Sequence, residues 1–416
     1  MTSPTLIFFC PPQNKNTLCA LAGALDTEPE LSGWRLLRAA NAAEFQAALQ
    51  TASGAKPLVA AFTFFTFQAK EACGLAAAAK ATAGGKVLLA AGGVHASARP
   101  REMLERGFDA VISGEGEATF PALLKTLACG GDWRALPGIS HLEGGRLVSN
   151  APPPAVDLDK YPPVSFPRDI FGAVEITRGC PNACKFCRTS GYFGAKMRHR
   201  GAEAVLAASA ALAARGLTHF RAITPDAFAY GSPDGRALNL PALENLLAGL
   251  SGALHPGGGK VFFGSFPSEV RPEHVTAETI ALVRRFCDND NIVIGAQTAS
   301  PSLLAACGRG HTPEDFMRAA EITVRAGLKA NVDFIFGLPG ETEADAAASA
   351  RCMEELARMG ARIHAHTFMP LPGTAFENER PSPSLDCYEP VIRKLNGTGA
   401  LFGDWINQRS ICNKGV

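Results

Sequence analysis

The stretch RGCPNACKFCRTS, residues 178–190, carries three cysteines in the spacing Cys180-x3-Cys184-x2-Cys187 and decides how the rest of the chain is interpreted. Thiolates are the usual ligands of iron–sulfur clusters, and a [4Fe–4S] cluster normally takes four of them. Three thiolates would leave one iron open to a small molecule. A zinc site made of the three cysteines and His199 is the alternative donor set.

A rhythm of short strands and helical stretches follows the cysteines and continues to residue 374. The predicted strands lie at 175–180, 219–226, 260–266, 291–298, 330–341 and 362–374. Helical stretches rich in alanine separate them. Six such βα units predict a parallel, curved, partial (β/α)6 barrel, whose chemistry lies at the C-terminal ends of the strands.

Polar residues and glycines cluster at these strand ends. They are Pro225 and Asp226 after the second strand, Ser268, Glu269 and Arg271 after the third, Gln297 at the end of the fourth, Gly337, Pro339 and Gly340 after the fifth, and His366 and Met369 in the sixth. Taken singly, each of these residues could instead have only a structural role, as a cap or turn at the end of a strand. Because the carboxyl ends of barrel strands share one rim, the set together predicts a site.

The length of 416 residues is too great for one ordinary domain. The stretch NAPPPAVDLDKYPPVSFPR, residues 150–168, is rich in proline and typical of an interdomain linker. We therefore predict a first domain at 1–149, a linker at 150–168, the barrel at 169–376 and a C-terminal extension of unknown role at 377–416.

Charge and composition narrow the function classes. A formal net charge of +1, with KMRHR at 196–200 as the densest basic cluster, argues against a nucleic-acid partner. The sequence contains no tract of 18 uncharged apolar residues, so we expect no membrane-spanning helix. The N-terminus lacks the pattern of an export signal. We therefore expect a cytoplasmic protein whose twelve cysteines are thiols or metal ligands before they are disulfides.

The N-terminal half predicts a different α/β domain. Short apolar runs at 5–10, 58–66, 87–91 and 108–113 alternate with helical patterns. This alternation indicates a parallel sheet with helices on both faces, a doubly wound domain that binds ligands at the carboxyl ends of its strands. The segments GGVHAS at 92–97 and SGEGE at 113–117 follow two of these strands. Their glycines allow a ligand to approach the backbone, although tight turns explain them equally well.

The order of these features resembles radical S-adenosylmethionine (SAM) enzymes that carry an N-terminal, flavodoxin-like cobalamin (B12)-binding domain. The likeness rests on the cysteine spacing with Phe186 before the third cysteine, and on GGVHASARPREMLERGFDAVISGEGEATFPALLKTL at 92–127. It spans residues 5–375. The resemblance implies a [4Fe–4S] cluster on the three cysteines, SAM chelated at the open iron, and bound cobalamin.

The resemblance also assigns further site residues. Two segments, GAQTASPSLLAACGRGHT at 295–312 and FGLPGET at 336–342, are similar to those that contact the SAM ribose and adenine. The SAM set it implies is Phe186, Asp226, Ser268, Glu269, Arg271, Gln297, Gly337 and Gly340. The cobalamin set it implies is Gly92, Gly93, His95, Ser97, Ser113, Gly114, Glu115 and Gly116.

One segment departs from the family pattern. In the best-known cobalamin domains, a D-x-H-x-x-G loop after the first strand supplies a histidine to cobalt, whereas here the loop is CPPQNKNTLCALAG, residues 10–23. Cobalamin without a histidine lower ligand is therefore expected, with water, no ligand, or a side chain such as Gln13 or Asn14 on that side. A domain that kept the fold and lost the cofactor is the alternative.

The function implied is reductive cleavage of SAM to a 5′-deoxyadenosyl radical, followed by cobalamin-dependent methyl transfer to an unactivated centre of a small molecule or peptide. A flavodoxin or ferredoxin would supply the electron. The alternatives are a cyclase, oxidoreductase or rearrangement enzyme without methyl transfer, and a non-catalytic cobalamin or redox sensor. Methylthio transfer to RNA or to a ribosomal protein is disfavoured, because the N-terminal half has no second group of three closely spaced cysteines.

No catalytic side chain is identified by the sequence. Cys307, in AACGRGHT, and Tyr192, five residues after the third cysteine, are candidate donors of a proton or hydrogen atom. A buried, packed thiol is the simpler interpretation of Cys307.

Overall fold

The computed structural model describes residues 3–83 and 85–413, and the chain divides into two compact units at 1–172 and 173–416. The predicted division, with its linker at 150–168 and its extension at 377–416, stays a prediction. The two units are described separately below.

The first unit is built on one mostly parallel sheet. Within the described residues its strands follow the order β2-β1-β3-β4-β5-β6-β7; β1 to β5 are parallel, and β6 and β7 form an antiparallel hairpin beyond β5. This 2-1-3-4-5 order is the flavodoxin-like arrangement that the sequence predicts. The strands are β1 (Thr5–Phe9), β2 (Arg35–Ala39), β3 (Leu58–Thr63), β4 (Val87–Gly92), β5 (Ala110–Ile112), β6 (Ile139–Glu143) and β7 (Arg146–Ser149).

Burial explains which strands the sequence revealed. All residues of β1 and β3 are buried, so each appears as a continuous apolar run. The sequence analysis missed β2, whose RLLRA sequence forms a partly exposed edge and carries two arginines. It also missed the hairpin of β6 and β7, because β7 is exposed or half-buried throughout.

Helices complete the first unit. They are α1 (Lys15–Asp26), α2 (Ala42–Thr51), α3 (Ala69–Ala83), α4 (Val94–Ala98), α5 (Pro100–Glu105) and α6 (Gly116–Ala128). Their apolar faces cover the sheet, and a buried cluster that includes Phe9, Phe45 and Phe62 lies between sheet and helices. Gly93 begins α4 at φ +91°, a conformation that favours glycine.

Residues 150–168 pack onto the first unit. Val156, Leu158 and Val164 are buried, and the Val156 N–H donates to the Glu115 carboxylate at 2.7 Å. A Cβ atom added at Gly23 in α1 would collide with the Pro162 carbonyl oxygen, so the chain passes directly over that helix. The proline-rich sequence therefore forms an irregular segment, with a 3-10 turn at Leu158–Lys160, that packs on the first unit.

The second unit contains the predicted parallel strands. Within the described residues, one sheet has the order β12-β11-β8 and another the order β13-β14-β15-β16. A single parallel bridge pairs Val270, which follows β12, with Ile294 in β13. An antiparallel pair, β9 and β10, lies beside them. The strands are β8 (Val174–Glu175), β9 (Thr177–Arg178), β10 (Arg198–His199), β11 (His219–Ile223), β12 (Lys260–Phe262), β13 (Asn291–Gln297), β14 (Lys329–Phe336), β15 (Arg362–Thr367) and β16 (Leu401–Phe402).

The second, third and fifth predicted barrel strands are longer than the observed β11, β12 and β14, which end at Ile223, Phe262 and Phe336. The first and sixth differ as well. The first predicted strand, 175–180, is divided: β8 pairs with β11, while β9 turns away to pair with β10. Gly179 then leaves the strand conformation at φ +85°. The sixth predicted strand is shorter than 362–374, since Met369 lies beyond the end of β15.

The helices of the second unit follow the predicted rhythm. They are α7 (Thr189–Phe193), α8 (Ala202–Ala213), α9 (Leu240–Leu254), α10 (Ala277–Phe286), α11 (Pro301–Ala306), α12 (Pro313–Arg325), α13 (Glu343–Met359), α14 (Glu389–Gly397) and α15 (Trp405–Asn413). Several begin with reciprocal caps; for example, the Thr342 hydroxyl accepts from the Asp345 N–H while Asp345 accepts from the Thr342 N–H.

The C-terminal segment joins the second unit through α14, β16 and α15. β16 pairs in parallel with β15, and the Thr367 hydroxyl donates to the Trp405 carbonyl at 2.9 Å. Tyr388 is almost fully buried, stacks on Phe336 with ring centroids 4.3 Å apart, and donates its hydroxyl to Glu341 at 2.7 Å. In the described part of the chain, every helix is either too short or too polar to cross a membrane.

Candidate active site

The three cysteines lie on the loop that leaves β9 and enters α7. Gly179 makes the loop possible, because its φ is +85° and a Cβ atom at this position would collide with the Lys196 carbonyl oxygen. The loop then tightens, as the Cys187 N–H donates to the Cys184 carbonyl at 2.9 Å and the Cys180 N–H donates to the Gly194 carbonyl at 3.1 Å.

All three cysteines line one cavity of about 740 Å³ within the second unit. Asn182 Nδ2 donates to Cys180 Sγ, and Arg309 Nη1 donates to Cys184 Sγ, each at 3.6 Å. Such N–H donors suit thiolates that carry negative charge or bind a cluster. The structure therefore brings the predicted ligands together in one cavity, with N–H donors directed at two of the three sulfurs.

His199 is engaged elsewhere, so the zinc alternative has no support. Its Nδ1 is 2.9 Å from the Thr177 hydroxyl, and its Nε2 is 3.1 Å from the Ser232 carbonyl oxygen. Both ring nitrogens are thus occupied, and His199 is absent from the described residues that line the cavity.

The charged wall of the cavity carries Glu269, Arg271 and Arg309. Arg271 Nε donates to Glu273 at 2.5 Å, and Arg309 Nη2 donates to the Gly295 carbonyl at 2.5 Å. Arg271 Nη2 and Arg309 Nε are buried and have no hydrogen-bond partner among the described residues. Buried donors without partners are costly, so these two nitrogens leave the cavity with unused capacity to bind a hydrogen-bond acceptor.

The pKa of the Glu269 carboxyl is raised above its ordinary value. Burial raises the pKa of its carboxyl to about 7, and the neighbouring Asp333 carboxylate acts in the same direction against the opposing charge of Arg309. A carboxyl that titrates near neutrality next to three thiols is typical of a functional cavity.

The remaining predicted SAM residues divide into two groups. Phe186 and Ser268 line the cavity, and the Ser268 hydroxyl donates to the Ala222 carbonyl at 2.5 Å. Four others are absent from the described cavity wall: Asp226, Gln297, Gly337 and Gly340.

These four have other structural contacts or conformations. Asp226 is buried and contacts His274 Nδ1 at 2.6 Å, and Gln297 is buried at φ +75°. The Gly337 N–H donates to the Glu341 carboxylate at 2.9 Å. Gly337 and Gly340 both have positive φ, at +72° and +80°.

The two candidate radical partners also lie off the described cavity wall. Cys307 is buried against Leu338 and Phe368, and burial raises the pKa of its thiol to about 11. The packed-thiol interpretation therefore fits Cys307. Tyr192 lies in α7, with its ring centroid 4.7 Å from that of Phe193.

The sequence analysis did not identify a polar layer on the inner faces of β13, β14 and β15. Its members line the same cavity and are Asn291, Asn331, Asp333, His364 and His366. The sequence at these positions is N-x-V, N-x-D and H-x-H. Because alternate residues of a strand share one face, this spacing could have indicated that these polar side chains lie on the same side of the sheet. Only His366 had been noted. Arg309 was missed as well, although it lies inside the quoted segment 295–312.

The predicted cobalamin residues lie at the ends of β4 and β5 in the first unit. Ser97 connects the two segments, because its hydroxyl accepts from the Gly114 N–H at 3.1 Å. His95 is buried; its Nδ1 contacts the Thr66 hydroxyl at 3.2 Å, while its Nε2 has no partner among the described residues. The whole set is Gly92, Gly93, His95, Ser97, Ser113, Gly114, Glu115 and Gly116.

The two candidate lower-face residues differ in their contacts. Gln13 is exposed, and its side-chain oxygen accepts from Gln68 at 3.1 Å. Asn14 is buried, and its Oδ1 has no partner among the described residues. Asn14 is thus the side chain of this loop that keeps an unused acceptor.

Fold and site together define an α/β protein with a flavodoxin-like first unit and a second unit that holds three thiols in a barrel cavity. Two family models match it: "Radical SAM superfamily" over residues 174–353 and "B12 binding domain" over residues 18–124. The chain therefore carries a B12-binding domain followed by a radical SAM domain, which confirms the predicted family and fold class.

Curated relatives are distant. An uncharacterized methyltransferase of Pyrococcus horikoshii is 28% identical over 302 residues, and an uncharacterized protein of Methanopyrus kandleri is 25% identical over 338 residues. Each alignment covers 69% of this chain and 62% of the relative. The chain thus spans less than two thirds of the length of these relatives.

Two solved structures share the fold across both units. The radical SAM methyltransferase TsrM from Kitasatospora setae, with cobalamin and a [4Fe–4S] cluster bound, has a TM-score of 0.68 at 16% identity, covering 90% of this chain and 77% of that one. The cobalamin-dependent radical SAM enzyme OxsB, with aqua-cobalamin bound, has a TM-score of 0.68 at 18% identity, covering 95% of this chain and 56% of that one.

Proposed function

We propose that the protein is a cobalamin-dependent radical SAM enzyme that methylates an unactivated centre of a small molecule or peptide. The observation that carries this proposal is the cavity of the second unit, which is lined by Cys180, Cys184 and Cys187 and by two arginines that keep unused donors. Three thiols and unpaired guanidinium donors match the needs of an open cluster and an amino-acid-bearing cofactor.

When bound, the cluster supplies one electron for SAM cleavage and cobalamin supplies the methyl carrier. The chain itself supplies binding and orientation. The three cysteines would hold the cluster, and Arg309 and Asn182 would donate to its sulfur ligands. Arg271 would pair with the carboxylate of the cofactor, with Glu269 accepting from its hydroxyl or ammonium groups.

The first unit fits cobalamin through its strand ends. Gly114, at φ +77°, has open space where a Cβ atom would lie, and the buried His95 Nε2 and Asn14 Oδ1 are unused polar atoms. Because the loop after β1 has no histidine, Asn14 is the side chain proposed to face the cobalt or its water ligand. The set from Gly92 to Gly116 would contact the corrin and its side groups.

Methyl transfer is the finer part of the proposal. It is supported by the names of the P. horikoshii relative and of TsrM, which is also known with tryptophan and a SAM analogue bound. A flavodoxin or ferredoxin is the proposed electron donor, and a cytoplasmic location follows from the need for reduced thiols.

The first experiment tests the cluster and SAM cleavage. Anaerobically reconstituted protein is given SAM and a strong reductant, and 5′-deoxyadenosine is measured together with iron and sulfide. Cys184→Ala should abolish cleavage, whereas Cys129→Ala, at an exposed cysteine, should leave it unchanged. Zinc in place of iron, or unchanged cleavage by Cys184→Ala, would contradict the proposal.

The second experiment tests cobalamin and methyl transfer. Protein produced with cobalamin feeding is analysed for cobalt and by its absorption spectrum, and is then incubated with candidate substrates and SAM labelled in its methyl group. Bound cobalamin and labelled product are expected. Protein that is free of cobalt but turns substrate over without methylation would favour the cyclase, oxidoreductase or rearrangement alternative.

A further inference from the structure

Two histidines and an aspartate form a compact cluster on the inner wall of the second unit. Asp333 lies in β14, and His364 and His366 lie two residues apart in β15. The register pairs Asp333 with His364, and all three residues line the cavity. Successive inward positions of neighbouring strands therefore bring their side chains together.

The donor atoms are close enough to share one ion. One ligand atom from each of the three residues lies within 4.8 Å of the others, and His364 Nδ1 is 2.9 Å from Asp333 Oδ1. Neighbouring donors bound at ~2.0–2.2 Å in a tetrahedral or octahedral shell lie about 3.0–3.6 Å apart. The Asp333–His364 pair is already this close, and the remaining donor would need to move inward by at most about 2 Å.

The surroundings hold the imidazoles in place. The His364 ring stacks on Phe402 with centroids 4.7 Å apart and planes at 11°, and the His366 centroid is 4.2 Å from that of His364. Gln408 Nε2 is 3.4 Å from His366 Nδ1. A preorganised pair of imidazoles loses little rotational freedom when it binds a ligand.

The neighbouring polar atom is also an acceptor. Asn331 precedes Asp333 by two residues on the same strand face, and its buried Oδ1 has no hydrogen-bond partner among the described residues. The cluster thus joins a carboxylate hydrogen-bonded to one imidazole, a second imidazole and an unused amide oxygen. A cation that replaces the proton between Asp333 and His364 would bind the carboxylate and both imidazoles.

We propose that Asp333, His364 and His366 bind a divalent transition-metal ion, at a site distinct from the three cysteines. Two imidazoles and one carboxylate suit zinc, iron(II) or cobalt(II), whereas magnesium and calcium prefer oxygen ligands alone. Three protein ligands leave coordination positions open to the cavity, as in catalytic metal sites. The ion would there bind an oxygen or nitrogen atom of the substrate.

The test uses zinc as the probe and removes the competing thiols. In full-length, cobalamin-free protein carrying Cys180→Ser, Cys184→Ser and Cys187→Ser, zinc affinity is measured by titration calorimetry and zinc content by metal analysis after desalting. One equivalent of zinc is expected. Asp333→Asn, His364→Gln and His366→Gln in the same background should each weaken zinc binding by about 100-fold or more.

His255→Gln is the matched control. His255 is also hydrogen-bonded to a carboxylate, with its Nε2 2.9 Å from Asp288 Oδ2, but the pair is exposed and lies outside the cluster. Zinc binding should be unchanged in this variant. Circular dichroism and thermal unfolding check that each variant is folded.

Two further measurements keep the test decisive. Cobalt(II) in place of zinc should give visible bands without thiolate charge-transfer absorption, which excludes the remaining cysteines as ligands. If the serine background does not fold, wild-type protein with its iron and sulfide content verified is titrated instead. No zinc bound in either protein, or equal zinc in the His364→Gln and parent proteins, would overturn the proposal. SAM cleavage is not a readout, so the result is independent of the proposed function.

Discussion

Arg309 is a charged residue that donates a hydrogen bond to one of the three proposed cluster thiols. Its guanidinium donates to Cys184 Sγ and is anchored on the Gly295 carbonyl. N–H donors and positive charge stabilise the extra electron of a reduced cluster and raise its reduction potential.

Replacing Arg309 with glutamine should therefore lower the reduction potential of the cluster by on the order of 50 mV. A redox titration followed by electron paramagnetic resonance measures this shift. Arg221→Gln is the control, since Arg221 lines the same cavity but donates to the Phe266 carbonyl. An equal shift in both variants would mean that charge alone, and not the hydrogen bond to sulfur, sets the effect.

Glu269 makes stability depend on pH. Its pKa is raised from 4.5 to about 7, so the folded state binds the proton more tightly than the unfolded state does. Its contribution is fully present below pH 4.5 and is lost as the pH rises through about 7.

Apo protein should accordingly lose stability relative to Glu269→Gln between about pH 5 and about pH 8, by at most about 3 kcal/mol. Urea unfolding at several pH values measures the difference. Glu203→Gln, at an exposed position on α8, should show no such pH dependence. A Glu269→Gln curve parallel to that of the wild type would refute the raised pKa.

At the residue scale, spacing predicted that the three cysteines lie together, but it did not predict what surrounds them. The cysteine triad is local in sequence, so three residues on one loop could be placed together without a structure. Arg309 reaches Cys184 from 125 positions away, and Asp333 meets His364 only through strand pairing. Contacts of that kind depend on register, which the chain pattern alone does not give.

At the scale of elements, hydrogen bonds from the C-terminal segment hold the loop after β14. The Tyr388 hydroxyl donates to one oxygen of Glu341, while the other oxygen accepts from the Gly337 N–H. Ser382 adds a hydrogen bond to the Glu341 carbonyl at 2.5 Å. The loop proposed to meet the adenine of SAM is thus held by residues beyond the barrel.

Tyr388→Phe keeps the ring stacked on Phe336 but removes the hydroxyl, and should lower the free energy of unfolding by about 1.5–3 kcal/mol. Chemical denaturation measures the loss. A double-mutant cycle with Glu341→Gln should show a coupling between the two side chains. Strictly additive effects would argue that the hydroxyl and the carboxylate do not interact.

Strands buried on both faces were the elements most readily predicted, because their apolar runs are continuous. The edge strand β2 and the exposed β7 were missed, since partial exposure dilutes that signal with arginine and serine. The first barrel strand was predicted as one element, but the positive φ at Gly179 and the pairing of β9 with β10 divide it.

On the scale of the whole molecule, the first unit extends beyond the predicted linker to residue 172. A fragment of residues 1–172 should be more stable than one of residues 1–149, by on the order of 5 kcal/mol. The reason is that Val156, Leu158, Val164 and Ile170 are buried, and the chain at Pro162 passes directly over Gly23 of α1. Urea unfolding followed by circular dichroism compares the fragments. Equal midpoints would favour the predicted linker at 150–168.

The pairing of β16 with β15 gives the last part of the chain a protective role. Without Leu401 and Phe402, part of the outer edge of β15 would present bare amide and carbonyl groups. Open edges of this kind recruit strands from other molecules. Chains shortened before residue 401 should therefore tend to self-associate. Leu401 and Phe402 would then act by covering a strand edge, although they are far from the cysteines in sequence.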